Sequence, residues 1–452
     1  KAIKINPDYF LAYNSKGIAH SKLGNINQAI NCYRQALKIK PDFLMAFSNL
    51  LLESSYIVKN NVKLIFEEVR NFKKNIRQIQ KNEILPYKYN VNPQKLNIGF
   101  LSADFGVHPG GFFLLNTLKG LKKKNLNLFA YSTNDRTDKL AKEFKSLFNS
   151  WRSVEFKSDV EIINQVREDG IHILIDCMGH TGGNRLSIFA FRPAPVQITY
   201  LGFCSTGLKE IDYFLGSPHL ILKNEENFYV EKIWRLPEVL QCFTTPSYNL
   251  KIMPSPFKKN GYITFGSLNK LSKINDEVIK LWSKVLNSIL NSKIIIKCDE
   301  FANDNIKKNI LSKFARNNVS SKLISLVKKI DKREDAINLY NTIDINLDTF
   351  PFQGNTTTCE AAWMGVPTLT LKGDRFLFHF GEAINANLGL YDWIAEDHKD
   401  YISKAIKLTS DVKNLSNLRK GLRDQLLKSP VCDAPRLANH FDKMLWEMWD
   451  KK

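Results

Sequence analysis

Short apolar segments that alternate with helical stretches constrain the fold of most of this chain. The first series lies at residues 96–101, 126–131, 172–176 and 196–201, and a second series lies at 262–267, 293–297, 343–348 and 367–371. A segment at 253–256 that contains two prolines separates the two series. Strands alternating with helices at this spacing form doubly wound, mostly parallel sheets. The sequence therefore predicts an α/β chain with two Rossmann-like units that face a cleft.

The start of the chain carries a repeat. AIKINPDYFLAY begins at residue 2 and ALKIKPDFLMAF begins at residue 36, which gives a period of 34 residues. This is the period of the tetratricopeptide repeat, a pair of antiparallel helices. The stretch carries this repeat's small, aromatic and helix-stop residues, at Gly17, Ala29, Tyr33, Ala36 and Pro41. One repeat cannot bury both of its faces, so we expect further repeats before Lys1.

These patterns divide the chain into four parts. Residues 1–50 are predicted to form the truncated repeat array, and the charged residues 51–95 are predicted to form linker helices. Residues 96–250 are predicted to form the first Rossmann-like half and residues 257–452 the second, nucleotide-binding half. An amphipathic helix at 434–450 closes the chain, and we expect it to pack across both halves.

Charge and cysteine content narrow the class of protein. The net charge is +20, but the basic residues are spread over every segment, which does not favour nucleic acid as a partner. The seven cysteines include no CxxC pair, so buried reduced thiols and a reducing, cytoplasmic compartment are expected. The apolar runs fall far short of the ~20 residues of a membrane-spanning helix, so no membrane association is expected.

The stretch NLDTFPFQGNTTTCEAAWMGVPTLTL, residues 346–371, is the most informative motif. A strand ends at Asp348, and a helix is predicted to begin near Thr356, where free N–H groups and the hydroxyls of Thr356, Thr357 and Thr358 form a site for phosphate oxygens. Glu360, one turn further, is placed to accept hydrogen bonds from a ribose. The alternative is an ordinary capped helix with an acidic first turn.

Two further loops follow predicted strands. LSADFGVHPGGFF places Asp104 and His108 in a Gly-rich loop, where an imidazole can accept or donate a proton. The alternative is a surface histidine without a function, which is the more common case for a lone histidine in a loop. TFGSLNKLSKIND carries Asn269, Lys270 and Lys273. A lysine at this place can neutralise a leaving diphosphate without a metal. The alternative interpretation is that these lysines are ordinary surface charges.

Other candidates are weaker. The turns at 178–207 would line the same cleft through Leu201 and Gly202, whereas His172 and His180 are interpreted as structural. No HExxH, Walker sequence, DxD-like carboxylate pair or zinc-spaced Cys and His cluster occurs, and Asp344 is interpreted as structural. We therefore expect no metal site.

Four segments together resemble one enzyme family: LSADFGVHPGG, RPAPVQITYLGFCSTG, SLNKLSKIN and LDTFPFQGNTTTCEAAWMGVPTLTL. Behind a tetratricopeptide repeat and in this order, they resemble the O-linked N-acetylglucosamine transferases, which include plant SPINDLY-type protein O-fucosyltransferases and bacterial relatives. The resemblance implies a GT-B fold of two Rossmann-like domains. It also implies an inverting transfer of sugar from a nucleotide diphosphate to Ser or Thr hydroxyls, without a metal or cofactor, on proteins presented by the repeat arm.

The resemblance also implies roles for matched residues. Asp104 and His108 fall at the sugar and acceptor end, and either is a candidate base. Lys273 falls where a lysine stabilises the diphosphate. The nucleotide sugar is expected to contact Leu201, Gly202, Asn269, Lys270, Lys273, Asn355, Thr356, Thr357, Thr358 and Glu360.

The chain departs from the family pattern at three positions. Asn355 replaces the histidine that precedes the two threonines in the animal enzyme, and Ala336 stands where that enzyme has a histidine near uracil. Val69 stands where many bacterial relatives carry a histidine in the linker helix. UDP-N-acetylglucosamine is the leading donor and GDP-fucose the alternative, and a catalytically inert repeat scaffold is a further alternative.

Overall fold

The computed structural model of the protein describes residues 2–57, 62–76 and 83–452. Two parallel sheets organise the region after residue 95. The first sheet consists of β1 (Leu96–Ser102), β2 (Leu126–Ser132), β3 (Ser150–Ser153), β4 (Ile173–Asp176), β5 (Val196–Thr199), β6 (Tyr213–Gly216) and β7 (Lys232–Arg235). The second consists of β8 (Thr264–Ser267), β9 (Lys293–Lys297), β10 (Ile324–Val327), β11 (Ile345–Leu347), β12 (Thr368–Leu371) and β13 (Ile394–Ala395).

Helices precede the sheets and cover their faces. The N-terminal region contains α1 (Ala2–Ile5), α2 (Phe10–Lys22), α3 (Ile26–Ile39), α4 (Leu44–Ser54) and α5 (Val62–Arg70). The first half contains α6 (Pro109–Leu121), α7 (Lys139–Leu147), α8 (Asp159–Glu168) and α9 (Leu186–Phe189). The remaining helices are α10 (Phe257–Asn260), α11 (Asp276–Ser288), α12 (Asp304–Ala315), α13 (Arg333–Asn338), α14 (Thr356–Trp363), α15 (Phe380–Asn387), α16 (His398–Ser410), α17 (Val412–Lys428) and α18 (Ala434–Asp450).

Both sheets have the same strand order. The first runs β3-β2-β1-β4-β5-β6-β7 and the second runs β10-β9-β8-β11-β12-β13, so each changes direction beside its own first strand. The switch points lie between β1 and β4 and between β8 and β11. Ligands of open parallel sheets bind outside the carboxyl ends of the strands at such points. The predicted doubly wound α/β fold is therefore confirmed, and the strand order marks two places for a site.

The sequence analysis missed five strands, all of them short. β3, β7 and β10 are largely half-exposed, and β3, β7, β10 and β13 lie at sheet edges. Edge strands have no continuous apolar run, because a neighbour covers them on one side only. β6 is buried but has only four residues, so its pattern is too short to separate from a loop.

The repeat forms as predicted, and its small residues have a visible cause. α2 and α3 pack as an antiparallel pair, with Ala29 and Ala36 fully buried. A Cβ added to Gly17 would lie 2.5 Å from Cε1 of the buried Tyr33 ring. Only glycine at position 17 lets the two helices approach this closely.

We expect Gly17→Ala to destabilise the repeat by about 1–3 kcal/mol, because the buried Tyr33 ring must shift to admit the methyl group. Hydrogen exchange of the α2 and α3 amides measures the effect. Gly421→Ala on α17 is the matched control, since a Cβ there meets nothing within 4 Å. Equal protection of α2 and α3 in wild type and Gly17→Ala would contradict the expectation.

Two boundaries differ from the sequence prediction. α4 runs across the boundary placed at residue 50, so the end of the repeat and the start of the linker share one helix. The linker also contains α5 and the 3-10 helix Phe72–Asn75, whereas residues 86–95 have no helix. Residues 58–61 and 77–82 of the predicted linker helices lie outside the described residues.

The last helix does not pack across both halves as predicted. The buried face of α18 joins the core of the first half through Leu437, Ala438, Phe441, Met444, Leu445 and Met448. A Cβ on Gly120 of α6 would lie 2.5 Å from the Cβ of Ala438, so α6 and α18 meet closely. The last helix of the chain therefore packs on the first Rossmann-like half. The chain thus returns from the second half to the first, which connects the two.

A buried histidine also joins the halves. His379 is fully buried, and its Nδ1 lies 2.9 Å from Glu382 on α15 while its Nε2 lies 2.8 Å from Glu225 of the first half. Burial lowers the pKa of His379, but the hydrogen bonds and charges of the two carboxylates outweigh it and raise that pKa to about 9. The imidazolium is thus the stable form at neutral pH.

We expect this cluster to make the free energy of unfolding depend on pH. Because the pKa of His379 is higher in the folded state than the ordinary value near 6.5, its stabilisation is complete below about 6.5 and is lost as pH rises through about 9. The loss amounts to about 3 kcal/mol at ~1.4 kcal/mol per pKa unit. Urea unfolding at a series of pH values measures it. A His379→Gln variant that keeps the same slope would contradict the assignment.

Candidate functional site

The start of α14 lies at the switch point of the second sheet. β11 ends at Leu347, and the loop 348–355 leads into the helix at Thr356. The first N–H groups of any helix lack partners within the helix. The side chain of Asn355, at the N-cap, makes no capping hydrogen bond, so it leaves the helix start open to an anion.

The three threonines of this motif differ in orientation. Thr356 and Thr357 are half-buried, and the Thr357 hydroxyl donates to the Asn269 side chain at 3.1 Å. Thr358 is buried, and its hydroxyl donates to the Gly354 carbonyl at 2.9 Å. The predicted contact of a phosphate with the Thr358 hydroxyl is therefore not supported, because this side chain serves the loop instead.

Asp348 fixes the loop before α14. Its carboxylate accepts hydrogen bonds from the backbone of Gly354 at 2.7 Å, from Thr349 and from the hydroxyl of Thr370. Burial raises the pKa of Asp348, while these hydrogen bonds and the Lys273 ammonium oppose the rise. A Cβ on Gly354 would lie 2.4 Å from the Thr357 hydroxyl, so the turn has room for glycine only.

Lys273 reaches this loop from the neighbouring strand connection. It ends the 3-10 helix Leu271–Lys273, which follows β8, and its Nζ donates to the Gln353 carbonyl at 2.8 Å. The same ammonium lies 3.9 Å from the centre of the Phe352 ring. Burial lowers the pKa of Lys273, and Asp348 opposes this effect. The structure thus places a desolvated cation beside the predicted phosphate site.

Asn269 and Lys270 lie on the same connection. Asn269 is buried and accepts the Thr357 hydrogen bond, which joins the loop after β8 to the start of α14. Lys270 is exposed at the rim. Of the two predicted contacts, Asn269 is built into the site, whereas Lys270 can reach a ligand only by extending from solvent.

Glu360 has a partner that the sequence analysis missed. Its carboxylate accepts a hydrogen bond from Arg333 of α13 at 2.6 Å. The Arg333 guanidinium also lies 3.8 Å from the centre of the Phe112 ring on α6 of the first half. Arg333 therefore bridges the two halves at the mouth of the site. No local pattern signals it, because its partners are 27 and 221 positions away in the chain.

Asp104 and His108 lie at the switch point of the first sheet. His108 is the N-cap of α6, and its Nδ1 lies 2.8 Å from Oδ2 of Asp104. The same nitrogen accepts a hydrogen bond from the Gly110 backbone N–H at 3.3 Å, so both contacts engage Nδ1, and Nε2 is the ring nitrogen that can meet a substrate. Because Phe112 follows on the same helix and contacts Arg333, this pair faces the second half across the cleft.

Glycine shapes the loop that carries this pair. A Cβ on Gly111 would lie 2.2 Å from the Gly106 carbonyl oxygen and 2.7 Å from that of Asp104. A Cβ on Gly110 would lie 2.8 Å from Oδ2 of Asp104. The start of α6 can lie against the loop 104–106 only because both residues lack side chains.

Leu201 and Gly202 follow β5 rather than ending it. Leu201 has a φ of 66°, in the left-handed region, and turns the chain directly after the strand. A Cβ on Gly179 would lie 2.9 Å from the Cα of Gly202, so the turns after β4 and β5 touch through their backbones. Gly202 is buried and Leu201 is half-buried, so the Leu201 backbone is the part of this turn that can offer its N–H and carbonyl groups to a sugar.

The three positions at which the chain departs from the family pattern, Asn355, Ala336 and Val69, lie in different parts of the structure. Asn355 lies at a small cavity of about 30 Å³ between the halves, and its buried Oδ1 has no hydrogen-bond partner among the described residues. Ala336 is on α13, one turn after Arg333. Val69 is buried on α5, where its carbonyl oxygen would lie 2.1 Å from a Cβ on Gly207. Val69 thus packs the linker against the first half.

His172, His180 and Asp344 match the structural role that the sequence predicted for them. His180 is buried and hydrogen-bonds the Thr206 carbonyl, and His172 bonds the Asn97 N–H and the Asn90 carbonyl. Asp344 accepts hydrogen bonds from Ser255, Phe257 and Thr264. In the described ranges, no group of three or more His, Cys, Asp and Glu side chains is arranged to hold a metal ion.

The two sides of the cleft differ in chemistry: one can bind an anion, and the other can accept a proton. The second half offers a helix start, a hydroxyl from Thr357 and the ammonium of Lys273 to an anion. The first half offers the imidazole of His108, oriented by Asp104, to a proton. A substrate that spans the cleft would present a phosphate to one side and a hydroxyl to the other.

Comparison with known sequences agrees with this geometry. The sequence model of glycosyl transferase family 41 matches residues 53–242 and 257–441, and that of the tetratricopeptide repeat matches residues 10–43. A Solanum lycopersicum protein named "Probable UDP-N-acetylglucosamine--peptide N-acetylglucosaminyltransferase SPINDLY" is 33% identical over 91% of this chain. An Arabidopsis thaliana protein of the same name is 33% identical over 92% of this chain. The chain spans 45% and 46% of the lengths of these two relatives.

Solved structures show the same architecture. A mutant of the Thermobaculum terrenum O-GlcNAc transferase matches with a TM-score of 0.92 and 27% identity, over 100% of this chain and 86% of that one. A glycosyltransferase from Rickettsia africae matches with a TM-score of 0.52 and 12% identity, over 80% of this chain and 100% of that one, and shows the fold alone. The predicted GT-B architecture is confirmed by these matches. The family predicted from the four sequence segments is also confirmed: the chain belongs to glycosyl transferase family 41.

Proposed function

We propose that the protein is an inverting, metal-independent glycosyltransferase that moves N-acetylglucosamine from UDP-N-acetylglucosamine to Ser or Thr hydroxyls of proteins. One observation carries the proposal: the start of α14 and the Asp104–His108 pair follow the switch-point strands of the two sheets, and α6 and α14 line one cavity. The names of the SPINDLY relatives and of the Thermobaculum enzyme support the donor and the acceptor class.

The chemistry of the proposed step balances with the residues present. The acceptor oxygen forms a bond to the anomeric carbon as the bond from that carbon to the diphosphate oxygen breaks. The acceptor proton passes to Nε2 of His108, and Asp104 stabilises the imidazolium through Nδ1. The electron pair of the broken bond leaves with UDP, beside Lys273 and the start of α14.

Metal independence follows from the same residues. A leaving diphosphate gains negative charge, which many glycosyltransferases neutralise with a divalent cation. Here the Lys273 ammonium and the positive end of α14 can supply that charge. We propose that no metal or cofactor takes part.

Calorimetry of nucleotide binding tests the donor. UDP, UDP-N-acetylglucosamine, GDP and GDP-fucose are titrated into the protein with and without EDTA. We expect binding of the uridine nucleotides that EDTA does not change. Selective binding of GDP and GDP-fucose would move the assignment to fucosyl transfer, which is the second candidate. Loss of binding in EDTA would contradict metal independence.

The acceptor and the compartment belong to the same proposal. The repeat is proposed to present protein acceptors to the cleft, as expected for a helical repeat that adjoins an active site. All seven cysteines, Cys177 and Cys359 among them, are free thiols, which fits a reducing, cytoplasmic compartment. Of the helices in the described ranges, none has the length and apolar character needed to cross a membrane.

An inert scaffold is the competing function. Its cleft would bind no nucleotide, and its repeat alone would hold partners. The intact contacts of Lys273, Thr357 and the Asp104–His108 pair favour activity, because a degenerate site has no reason to keep them. Absence of nucleotide binding in the titrations above would favour the scaffold.

A further inference from the structure

The turn that carries Lys273 adjoins the N-terminal helical region at two of its three residues, Leu271 and Ser272. A Cβ on Gly24, in the turn between α2 and α3, would lie 3.7 Å from the side chain of Leu271. The hydroxyl of Tyr56, two residues after α4, lies near the Ser272 side chain, which opposes the rise that burial causes in the Tyr56 pKa. The repeat and the linker therefore hold the 3-10 helix Leu271–Lys273 from outside the second half.

Tyr56 also reaches Lys273 by a second route. Its ring stacks on Phe352 with the ring centres 5.3 Å apart and the planes 23° apart. Phe352 is the ring over which the Lys273 ammonium lies at 3.9 Å. Tyr56 is 7% exposed, so it keeps water from this side of the loop. One aromatic side chain thus contacts both the turn before Lys273 and the ring beneath its charge.

We propose that Tyr56 is a positioning residue for Lys273, through which the N-terminal helical region sets the place and the dry surroundings of the ammonium that faces the donor diphosphate. The consequence for transfer rests on the proposed function, but the effect on Lys273 does not. The repeat and linker would then form part of the catalytic site, in addition to presenting acceptors.

The physical basis is pre-organisation. A flexible lysine must be fixed for its charge to act on the transition state without reorganisation. The stacked pair of Tyr56 and Phe352 supplies a rigid floor, and a cation above an aromatic face is attracted to it. Asp348 and Lys270 are the charged groups that act on Lys273. Neither comes from the N-terminal region, so a change at Tyr56 alters neither charge directly.

The test measures Lys273 itself. Competitive labelling with trace acetic anhydride at a series of pH values, read by mass spectrometry, gives the titration of each lysine. In wild type, burial lowers the pKa of Lys273. In Tyr56→Ala, water reaches the ammonium, so we expect this pKa to rise toward the ordinary lysine range. Tyr56→Phe keeps the stacked ring and should restore most of the wild-type titration.

Phe47→Ala is the control for general loosening. Phe47 is buried on α4, the helix that precedes Tyr56, and its ring packs on Phe72 rather than on Phe352. We expect it to leave the Lys273 titration unchanged. An unchanged titration in Tyr56→Ala would overturn the proposal, and so would an equal shift in Phe47→Ala. If Tyr56→Ala does not fold, Tyr56→Leu removes the stacked ring but keeps an apolar side chain and should shift the titration in the same direction, and no shift there would overturn the proposal.

Kinetics then separate this inference from the proposed function. We expect kcat for transfer to fall about tenfold or more in Tyr56→Ala, with KM for the nucleotide sugar changing less, because misplacement of a catalytic group mainly affects the transition state. Wild type without transfer activity would refute the proposed function but leave the labelling result standing. An active wild type with equal kcat in Tyr56→Ala would refute the inference alone.

Discussion

Lys273→Ala is expected to lower kcat for sugar transfer by about 10²- to 10³-fold, which corresponds to roughly 3–4 kcal/mol of transition-state stabilisation. Lys273 is the ammonium that lies against the loop 348–355, and it donates to the Gln353 carbonyl. Removal of the side chain leaves the helix start of α14 as the remaining positive charge near the diphosphate. Initial rates with UDP-N-acetylglucosamine measure the loss.

The control for this variant is a lysine of the same half without such contacts. Lys280 is exposed on α11, and Lys280→Ala should keep the wild-type rate. Circular dichroism should show that Lys273→Ala retains its fold, because Asp348 keeps three hydrogen bonds of its own. A Lys273→Ala rate close to that of wild type would refute the assigned role.

Gly111→Ala is expected to reduce transfer by about 10²-fold while UDP binding persists, because a displacement of ~1 Å in a catalytic group costs this much. The added Cβ would lie 2.2 Å from the Gly106 carbonyl oxygen, and a backbone atom cannot move aside as a flexible side chain can. The loop that holds Asp104 and His108 must therefore shift, whereas the anion site lies in the other half.

Gly182→Ala is its matched control. Gly182 lies in the Gly-rich turn after β4 of the same half, and a Cβ there meets nothing within 4 Å. We expect Gly182→Ala to keep transfer activity. Calorimetry with UDP and rate measurements on both variants separate the two halves of the site. Loss of UDP binding in Gly111→Ala together with loss of transfer would show general unfolding, and full activity would contradict the role of the loop.

The fold could be predicted where strands are buried on both faces. β1, β4 and β5 are fully or largely buried, and their large apolar residues stand out in the sequence. The edge strands could not be predicted, because their half-exposed residues resemble loops. The place of α18 could not be predicted either, since an apolar face shows that a helix packs but not on which half.

The candidate site divides in the same way. The loops with Asp104, His108, Lys273 and Thr356 could be predicted, because each follows a predicted strand and carries a local pattern. The contacts of Arg333 with Glu360 and Phe112 could not, because they join distant positions through the tertiary structure. The inward turn of Thr358 was also beyond the sequence, since neighbouring hydroxyls on one helix face different sides.

Transfer to protein is the most direct test of the central claim. The protein is incubated with a heat-treated protein extract and either UDP-N-acetylglucosamine or GDP-fucose, each with and without EDTA. Modified peptides are then identified by mass spectrometry. We predict N-acetylhexosamine on Ser or Thr from the uridine donor, at equal levels with and without EDTA, and about 10²- to 10³-fold less with Lys273→Ala. Addition from GDP-fucose alone, a requirement for a divalent metal, or no modification by the wild-type protein would contradict the account.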